Sequence, residues 1–320
     1  MMAGDRRRGR LRPRGDATVT TTPATRDDRS SRLLEDRITR VFRELPGAVA
    51  GHDEALHQVR VAGRRLRVAL PLVARKGDSR AVRQAVKVLR WLTRSAGEGR
   101  DMDVVLGLFQ DRLDALKTTT AEQRALLSRL RAARARSRSQ VAEDILDLDI
   151  DGLRRNLRRV LRAGAAEAPL ALARARALRE GQGAALLRGF SQVGEAYRPD
   201  ALHALRRRVR RLRYAAEIED AVRGEDTRAP ALWKRLQDSI GVLHDHHVLA
   251  GWLDEQARTA ATRDNALLAR AALRERRAFV GVARLLHRAL LETQPADLAL
   301  RALMAMARSR SILSRQGDAA

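Results

Sequence analysis

The stretch ALHQVRVAGRRLRVAL at residues 55–70 decides the fold, because the chain carries it twice. A second copy, ALHALRRRVRRLRYAA, occupies residues 201–216 and keeps the histidine, all four arginines and much of the apolar pattern in register. A second pair of matched blocks follows in the same order, SAGEGRDMDVV at 95–105 and SIGVLHDHHVL at 239–249. Composition bias explains matches of Arg and Ala but not those of His, Gly and Asp, so the pattern indicates a duplicated unit.

The composition predicts an all-α fold. The chain has 320 residues, of which 44% are hydrophobic but only 3% aromatic, and Ala, Leu and Arg dominate. These residues favour helices, whereas the β-branched and aromatic residues that favour strands are scarce. The absence of cysteine excludes disulfides and thiolate metal sites. No apolar run is long enough for a membrane span or a signal peptide, so we expect a soluble, cytoplasmic protein without a membrane partner.

The charge is strongly positive. Lys and Arg number 64 against 39 acidic residues, a formal net charge of +25, and nearly all the basic residues are arginine. A GC-rich genome accounts for part of the Arg excess but not for where the arginines lie. Such a charge favours polyanions as partners, and the planar guanidinium suits phosphate oxygens.

The expected organisation follows the repeat. Residues 1–29 are predicted as a disordered basic tail, 31–160 as a first bundle, 161–183 as a connecting helix and linker, 184–295 as a second bundle, and 296–320 as a C-terminal helix with a frayed end. Pro46-Gly47 and the EGQG segment at 180–183 are predicted breaks. Gly97 and Gly241 are predicted to end helices, with Asp101 and Asp245 capping the next ones. A second possible role for each aspartate is to orient the histidine of its own copy.

The basic residues form a ladder on each copy. At about 100° per residue, His57, Arg60, Arg64 and Arg67 share one helix face, directly beside the apolar stripe of Leu56 and its neighbours. The second copy repeats this geometry with His203, Arg206, Arg210 and Arg213. Like charges placed at the edge of a packed face are destabilising unless something neutralises them.

Two explanations of the ladders remain open. The arginines could pair with acidic residues of other helices, with Asp101, Asp103, Asp245 and Glu217 as candidates. Alternatively, the two ladders line one groove that binds a multiply charged, linear anion. The shortage of acidic residues favours the second explanation. His244 and His247 share a helix face but have no clear third ligand, and no phosphate-binding loop, nucleophile elbow or zinc-protease motif is present, so we expect no metal, cofactor or enzymatic activity.

The repeated pattern His-x-x-Arg-x-x-x-Arg-Arg-Leu-Arg, followed each time by Gly-x-x-x-Asp, resembles the CHAD domain, the conserved-histidine α-helical domain, over residues 31–295. The resemblance implies two pseudo-symmetric four-helix bundles with a basic central cavity, and an association with inorganic polyphosphate and its granules. Carried over by position, it implies as phosphate ligands His57, Arg60, Arg64, Arg65, Arg67 and Arg100, and in the second copy His203, Arg206, Arg210, Arg211 and Arg213. The later helices add Arg131, Arg134, Arg274 and Arg277 by a looser alignment. His244 replaces arginine at the position of Arg100, which leaves that position's role in the second copy open.

The sequence therefore predicts a non-enzymatic polyphosphate-binding protein that targets or organises polyphosphate granules. The alternative is a nucleic-acid-binding protein that uses the same charge. The scarcity of aromatic residues argues against base stacking and so against that alternative.

Overall fold

A computed structural model describes residues 26–308, which form ten helices without a β-strand. The helices are α1 (Arg26–Val49), α2 (Asp53–Val73), α3 (Arg80–Asp114), α4 (Ala121–Leu146), α5 (Ile150–Ala163), α6 (Ala168–Val193), α7 (Pro199–Arg223), α8 (Ala229–Thr262), α9 (Ala266–Glu292) and α10 (Pro295–Arg308). The all-α prediction is thus confirmed. None of the described helices has an apolar stretch long enough to cross a bilayer.

The order of helix lengths repeats along the chain. Helices α1 to α5 have 24, 21, 35, 26 and 14 residues, and α6 to α10 have 26, 25, 34, 27 and 14. The duplicated stretches lie on α2 and α7. Each half of the described chain therefore contains five helices rather than the four implied by the resemblance, and the symmetry between the halves stays a prediction.

Buried apolar side chains form three clusters instead of two. One lies among α1 to α6 and also takes Ile218 and Val222 from α7, and a second is built around Trp233 from α6 to α10. The third joins the C-terminal part of α3 and the N-terminal part of α4 to the C-terminal part of α8 and the N-terminal part of α9. In it, the rings of Phe109 and Phe279 lie 6.3 Å apart. Because this third core spans both halves, it ties the two copies into one unit and holds α2 beside α7.

Several predicted breaks are absent. Helix α1 continues through Pro46 to Val49, and α6 continues through the EGQG segment. Helix α3 runs through Gly97 and Asp101, and α8 runs through Gly241 and Asp245, so the prediction that these four residues are caps is wrong. An interior glycine costs a helix only about 1 kcal/mol, which packing along both sides of a long helix outweighs.

Gly97 is buried inside α3 beside the side chain of Arg60. A Cβ added there would lie 3.6 Å from Nε of Arg60, an ordinary van der Waals contact, so neither a helix end nor close packing requires glycine at this position.

The ends of the domain differ slightly from the prediction. Helix α1 begins at Arg26, inside the predicted tail, and α10 contributes Leu298, Ala302 and Met306 to the second core. The packed unit therefore extends past residue 295. The remainder of the predicted tail and the frayed end, 1–25 and 309–320, lie outside the described residues.

Candidate anion-binding cleft

The duplicated stretches form two contacting helices with the predicted division of faces. The apolar stripes are buried, with Leu66 and Leu212 both fully inaccessible, and anchor α2 and α7 in their cores. The histidines and most arginines of the ladders are half-buried at the edges of these stripes. The amphipathic pattern thus aims both ladders at the space between the two helices.

Two cavities occupy that space, and together we call them the cleft. The first cavity measures about 350 Å³ and the second about 410 Å³. Both are lined by Arg64, Arg210 and Tyr214, so this arginine pair stands between them. The first cavity adds His57, Arg60, Arg65, Arg206 and Arg213. The second adds Arg67, Arg207, Arg208 and Arg211.

Three cleft arginines have acidic partners within the chain. The Nη2 of Arg60 donates to Oδ1 of Asp101 at 3.0 Å. Glu217 accepts from Nη2 of Arg65 at 3.2 Å and from Nε of Arg213 at 3.1 Å. Internal pairing, the first of the two explanations, therefore accounts for these three residues.

The other three arginines of the first cavity have no such partner. Arg64, Arg206 and Arg210 form no ion pair with any carboxylate in the described part of the chain, and Nε of Arg64 donates only to the carbonyl of Arg60, at 3.3 Å. The Nε of Arg206 and the Nδ1 of His57 are buried without a hydrogen-bond partner. Buried polar atoms that lack partners are costly, and they mark places where a ligand can supply the missing bonds.

The electrostatic strain is largest at the arginine pair. Burial, together with the charges of Arg60 and Arg210, lowers the pKa of Arg64 to about 8. Burial and the charge of Arg206 lower the pKa of Arg210 to about 10. Because arginine stays protonated in proteins, the direction of these shifts shows that holding both charges in the cleft is unfavourable. An anion bound between them would relieve that cost.

The aspartates predicted as caps belong to the electrostatics of the cleft. Burial lowers the pKa of Arg206, and the carboxylates of Asp245 and Asp101 counteract this effect. Burial in turn raises the pKa of Asp245. Arg60, Asp101, Arg206 and Asp245 thus form a group of four interacting charges with one acid and one base from each copy. Arg64 and Arg210 are the two arginines of the first cavity that neither this group nor Glu217 compensates.

The histidines are held in their neutral form. Burial and then the charge of Arg100 lower the pKa of His57, and burial and then Arg207 lower that of His203. His244 packs against His203 with ring centroids 5.0 Å apart, and burial lowers its pKa to about 3. No three potential ligands among His, Cys, Asp and Glu come together as a metal site within residues 26–308.

Six predicted ligands line neither cavity of the cleft. Two of them, Arg100 and His203, lie beside it, since the charge of Arg100 acts on His57 and that of Arg206 acts on His203.

The other four predicted ligands lie on α4 and α9. Arg131 donates to Gln110 at 3.0 Å on the exposed side of α4, and Arg277 is exposed on α9. Arg134 is bonded to Asp103 at 2.7 Å, and Arg274 lies beside Glu275. They share only sequence spacing with the ladders: none of them lines either cavity, and Arg134 also bonds Asp53 at the start of α2, at 2.9 Å.

Sequence reasoning missed other residues that line the cleft. Arg207 and Arg208 belong to the same RRR run as Arg206 but lie on a different face of α7 from the ladder. They line the second cavity together with Gln182 of α6. Tyr214 lies at the centre of the cleft, with the guanidinium groups of Arg65 and Arg213 at 5.9 and 6.0 Å from its ring centroid. The RRR run is the sequence signal for the arginines, and Tyr214 is visible in the sequence as the aromatic residue that interleaves with the second ladder, although no binding role was predicted for it.

The fold and the site define an all-helical protein with a cationic cleft between two repeats. The family model of the CHAD domain matches residues 32–254, so the chain belongs to the CHAD domain family. Among solved structures it is similar to the CHAD domain from the plant Ricinus communis, with a TM-score of 0.58 and 22% identity over 93% of this chain and 98% of the other. It is also similar to PptA from Streptomyces chartreusis, with a TM-score of 0.61 and 18% identity over 84% and 100% of the two chains.

Curated relatives are longer proteins. The chain is 29% identical over 219 residues to the uncharacterised protein Rv2226 of Mycobacterium tuberculosis strain H37Rv, a match that covers 65% of this chain and 42% of the relative. The uncharacterised protein MT2285 of strain CDC 1551 matches to the same extent. The matched region therefore spans less than half the length of these relatives.

Proposed function

We propose that this protein binds inorganic polyphosphate in the cleft between α2 and α7. The observation that carries the proposal is the half-buried pair Arg64 and Arg210, which two adjoining cavities share and which no carboxylate of the described residues neutralises. The association of the CHAD family with polyphosphate supports the same ligand.

The shape of the cleft favours a linear anion over a compact one. The two cavities adjoin at the arginine pair and Tyr214, which line both, and further basic side chains line each of them. A compact anion would neutralise the arginines of one cavity and leave the arginines of the other without an anion. A chain with a negative charge on each phosphate would pass through both and contact arginines throughout, and guanidinium groups bind phosphate oxygens through two parallel hydrogen bonds.

The proposal assigns binding rather than catalysis. The ligands are cationic and aromatic side chains, and the acidic residues of the cleft are engaged with arginines, as Asp101 is with Arg60. We further propose that binding targets the protein to polyphosphate granules in the cytoplasm.

Charge reversal at the arginine pair tests the proposal. We expect R64E/R210E to reduce the affinity for long-chain polyphosphate by at least about 100-fold at low salt, because two charge-assisted contacts are replaced by repulsion. Isothermal titration calorimetry would measure the loss. The matched control is R158E/R188E, which makes the same change in net charge at two exposed arginines that line neither cavity.

Equal weakening by both double variants would contradict the proposal. It would show that net charge alone drives binding and that the cleft is not the site.

Two further experiments address the alternatives. Competition with DNA and RNA of equal total charge decides between polyphosphate and nucleic acid as the ligand. Incubation with polyphosphate and Mg²⁺ would reveal shortening of the polyphosphate chain if the protein were an enzyme.

A further inference from the structure

A third cavity lies outside the cleft, between α1 and α2. It measures about 260 Å³, and its walls combine the apolar side chains of Leu33, Val61 and Ala62 with basic and acidic groups. It shares Gln58, Val61 and Arg65 with the first cavity of the cleft, so the two spaces adjoin on either side of the Arg65 side chain. None of the α1 residues in this cavity belonged to the sequence-based site.

Arg37 is the unusual residue of this cavity. Its side chain is only 9% exposed, and its Nη2 lies 3.5 Å from Oε2 of Glu217. The other terminal nitrogen, Nη1, is buried and has no hydrogen-bond partner. A buried guanidinium with a free donor carries a desolvation cost that an acceptor in the cavity would remove.

The charge around Arg37 is not balanced. Arg37, Arg65 and Arg213 converge on the single carboxylate of Glu217. Arg40 adds another positive charge to the wall of the cavity, and burial lowers the pKa of Arg37 to about 10 even with Glu217 beside it. Asp36 and Glu44 also line the cavity, and Glu44 is paired with Arg43 at 2.8 Å, so four arginines of the walls stand against three carboxylates.

We propose that the third cavity binds one phosphate group, which accepts a hydrogen bond from the free Nη1 of Arg37 and is flanked by Arg40 and Arg65. The inference rests on the proposed function in one respect: the phosphate belongs to a polyphosphate chain that leaves the first cavity past Arg65. Free orthophosphate offers the same chemistry, and the experiment below separates the two sources.

The test compares two exposed arginines of α1. R40E reverses a charge on the cavity wall, and R32E makes the same change on the same helix away from the cavity. Neither side chain is packed in the core, so both variants are expected to fold, which their melting temperatures would verify. Each is titrated by calorimetry with orthophosphate, tripolyphosphate and long-chain polyphosphate. The cleft variant R64E/R210E is titrated in parallel.

We expect R40E to lower the affinity for long-chain polyphosphate roughly ten-fold relative to R32E, while tripolyphosphate, which the cleft alone accommodates, binds equally to both. If R40E instead loses binding of orthophosphate that R32E retains, the cavity binds a free phosphate. If R40E and R32E match for all three ligands, the cavity binds no phosphate. That last result would leave the cleft standing, because only R64E/R210E decides the proposed function.

Discussion

At the residue scale, the role of each arginine depends on the carboxylates that the fold brings to it. Arg60 and Arg64 are one helical turn apart, yet Arg60 is bonded to Asp101 and Arg64 has no acidic partner in the described chain. The two copies also differ. Arg213 pairs with Glu217 one turn later, but the corresponding position of the first copy is Pro71, and Arg67 donates to Oγ1 of Thr93 at 2.8 Å instead. The positive charge of the cleft is therefore unevenly compensated between the copies.

The histidines predict a dependence of binding on pH. In the free protein, burial and neighbouring arginines hold the pKa values of His57 and His203 below the ordinary value. A phosphate bound beside them favours the charged imidazolium and raises both pKa values, so binding takes up protons. We therefore expect affinity for long-chain polyphosphate to increase as the pH falls from about 8 to about 6. Titration calorimetry in buffers of different ionisation enthalpy would measure the affinity and the proton uptake.

The control for this prediction is H57N/H203N, in which neither side chain titrates. Its affinity should change less with pH than that of the wild type, and the difference isolates the histidines from the titration of the terminal phosphates. Identical pH profiles for the two proteins would mean that the histidines are only structural.

At the scale of the helices, the uninterrupted lengths of α3 and α8 are what build the cleft. Each crosses its own bundle and then enters the third core, where Phe109 of α3 meets the second half of the chain. A helix end at Gly97 or Gly241 would separate the part of the helix that packs in its own bundle from the part that packs in the third core. Both glycines lie inside continuous helices, and the effect of replacing a helical glycine depends on the space around it, which differs from one position to the next.

Two glycine substitutions test this interpretation. In Gly63→Ala, the new Cβ would lie 2.6 Å from Cγ2 of buried Thr93, where α2 and α3 approach closely. We expect the free energy of unfolding to fall by about 1–3 kcal/mol. In Gly241→Ala, the new Cβ would have no neighbour within 4 Å, and the helix continues on both sides. We expect a gain of about 0.5–1 kcal/mol, because alanine favours the helix interior.

Urea denaturation of both variants would measure these changes. A loss of stability in Gly241→Ala would contradict the continuous helix and favour the helix end that the sequence predicts at this position. A neutral Gly63→Ala would show that Thr93 can move without cost, despite its hydrogen bond with Arg67.

At the scale of the whole molecule, the cleft makes the free protein electrostatically strained. The formal net charge is +25, and part of it is held half-buried between the two halves. Added salt screens this repulsion, so we expect the melting temperature of the free protein to rise with NaCl at low ionic strength.

Polyphosphate should stabilise the fold much more than salt does. At a free ligand concentration about 100 times the Kd, binding adds about 2.7 kcal/mol to the free energy of unfolding. Differential scanning fluorimetry at low salt would detect this as a higher melting temperature, which R158E/R188E should retain and R64E/R210E should lose. A similar rise in R64E/R210E would place the stabilising site elsewhere.

The sequence by itself determined the all-helical class, the duplication and the two basic faces beside apolar stripes. These are local properties, since helix propensity and the spacing of residues such as His57, Arg60 and Arg64 act within one helix. The boundaries at Gly97 and Gly241 could not be predicted, because a glycine ends a helix only when neighbouring helices do not support the continuation.

Only the tertiary structure decided which arginines remain uncompensated. The pairing of Arg60 with Asp101, the sharing of Glu217 by three helices and the isolation of Arg64 beside Arg210 depend on contacts between distant parts of the chain. The looser candidates such as Arg131 matched the spacing of the ladders but line neither cavity of the cleft. The sequence gives only the net charge. The affinity of a site for an anion depends on the distances between its charged groups, and these distances are set when the helices pack.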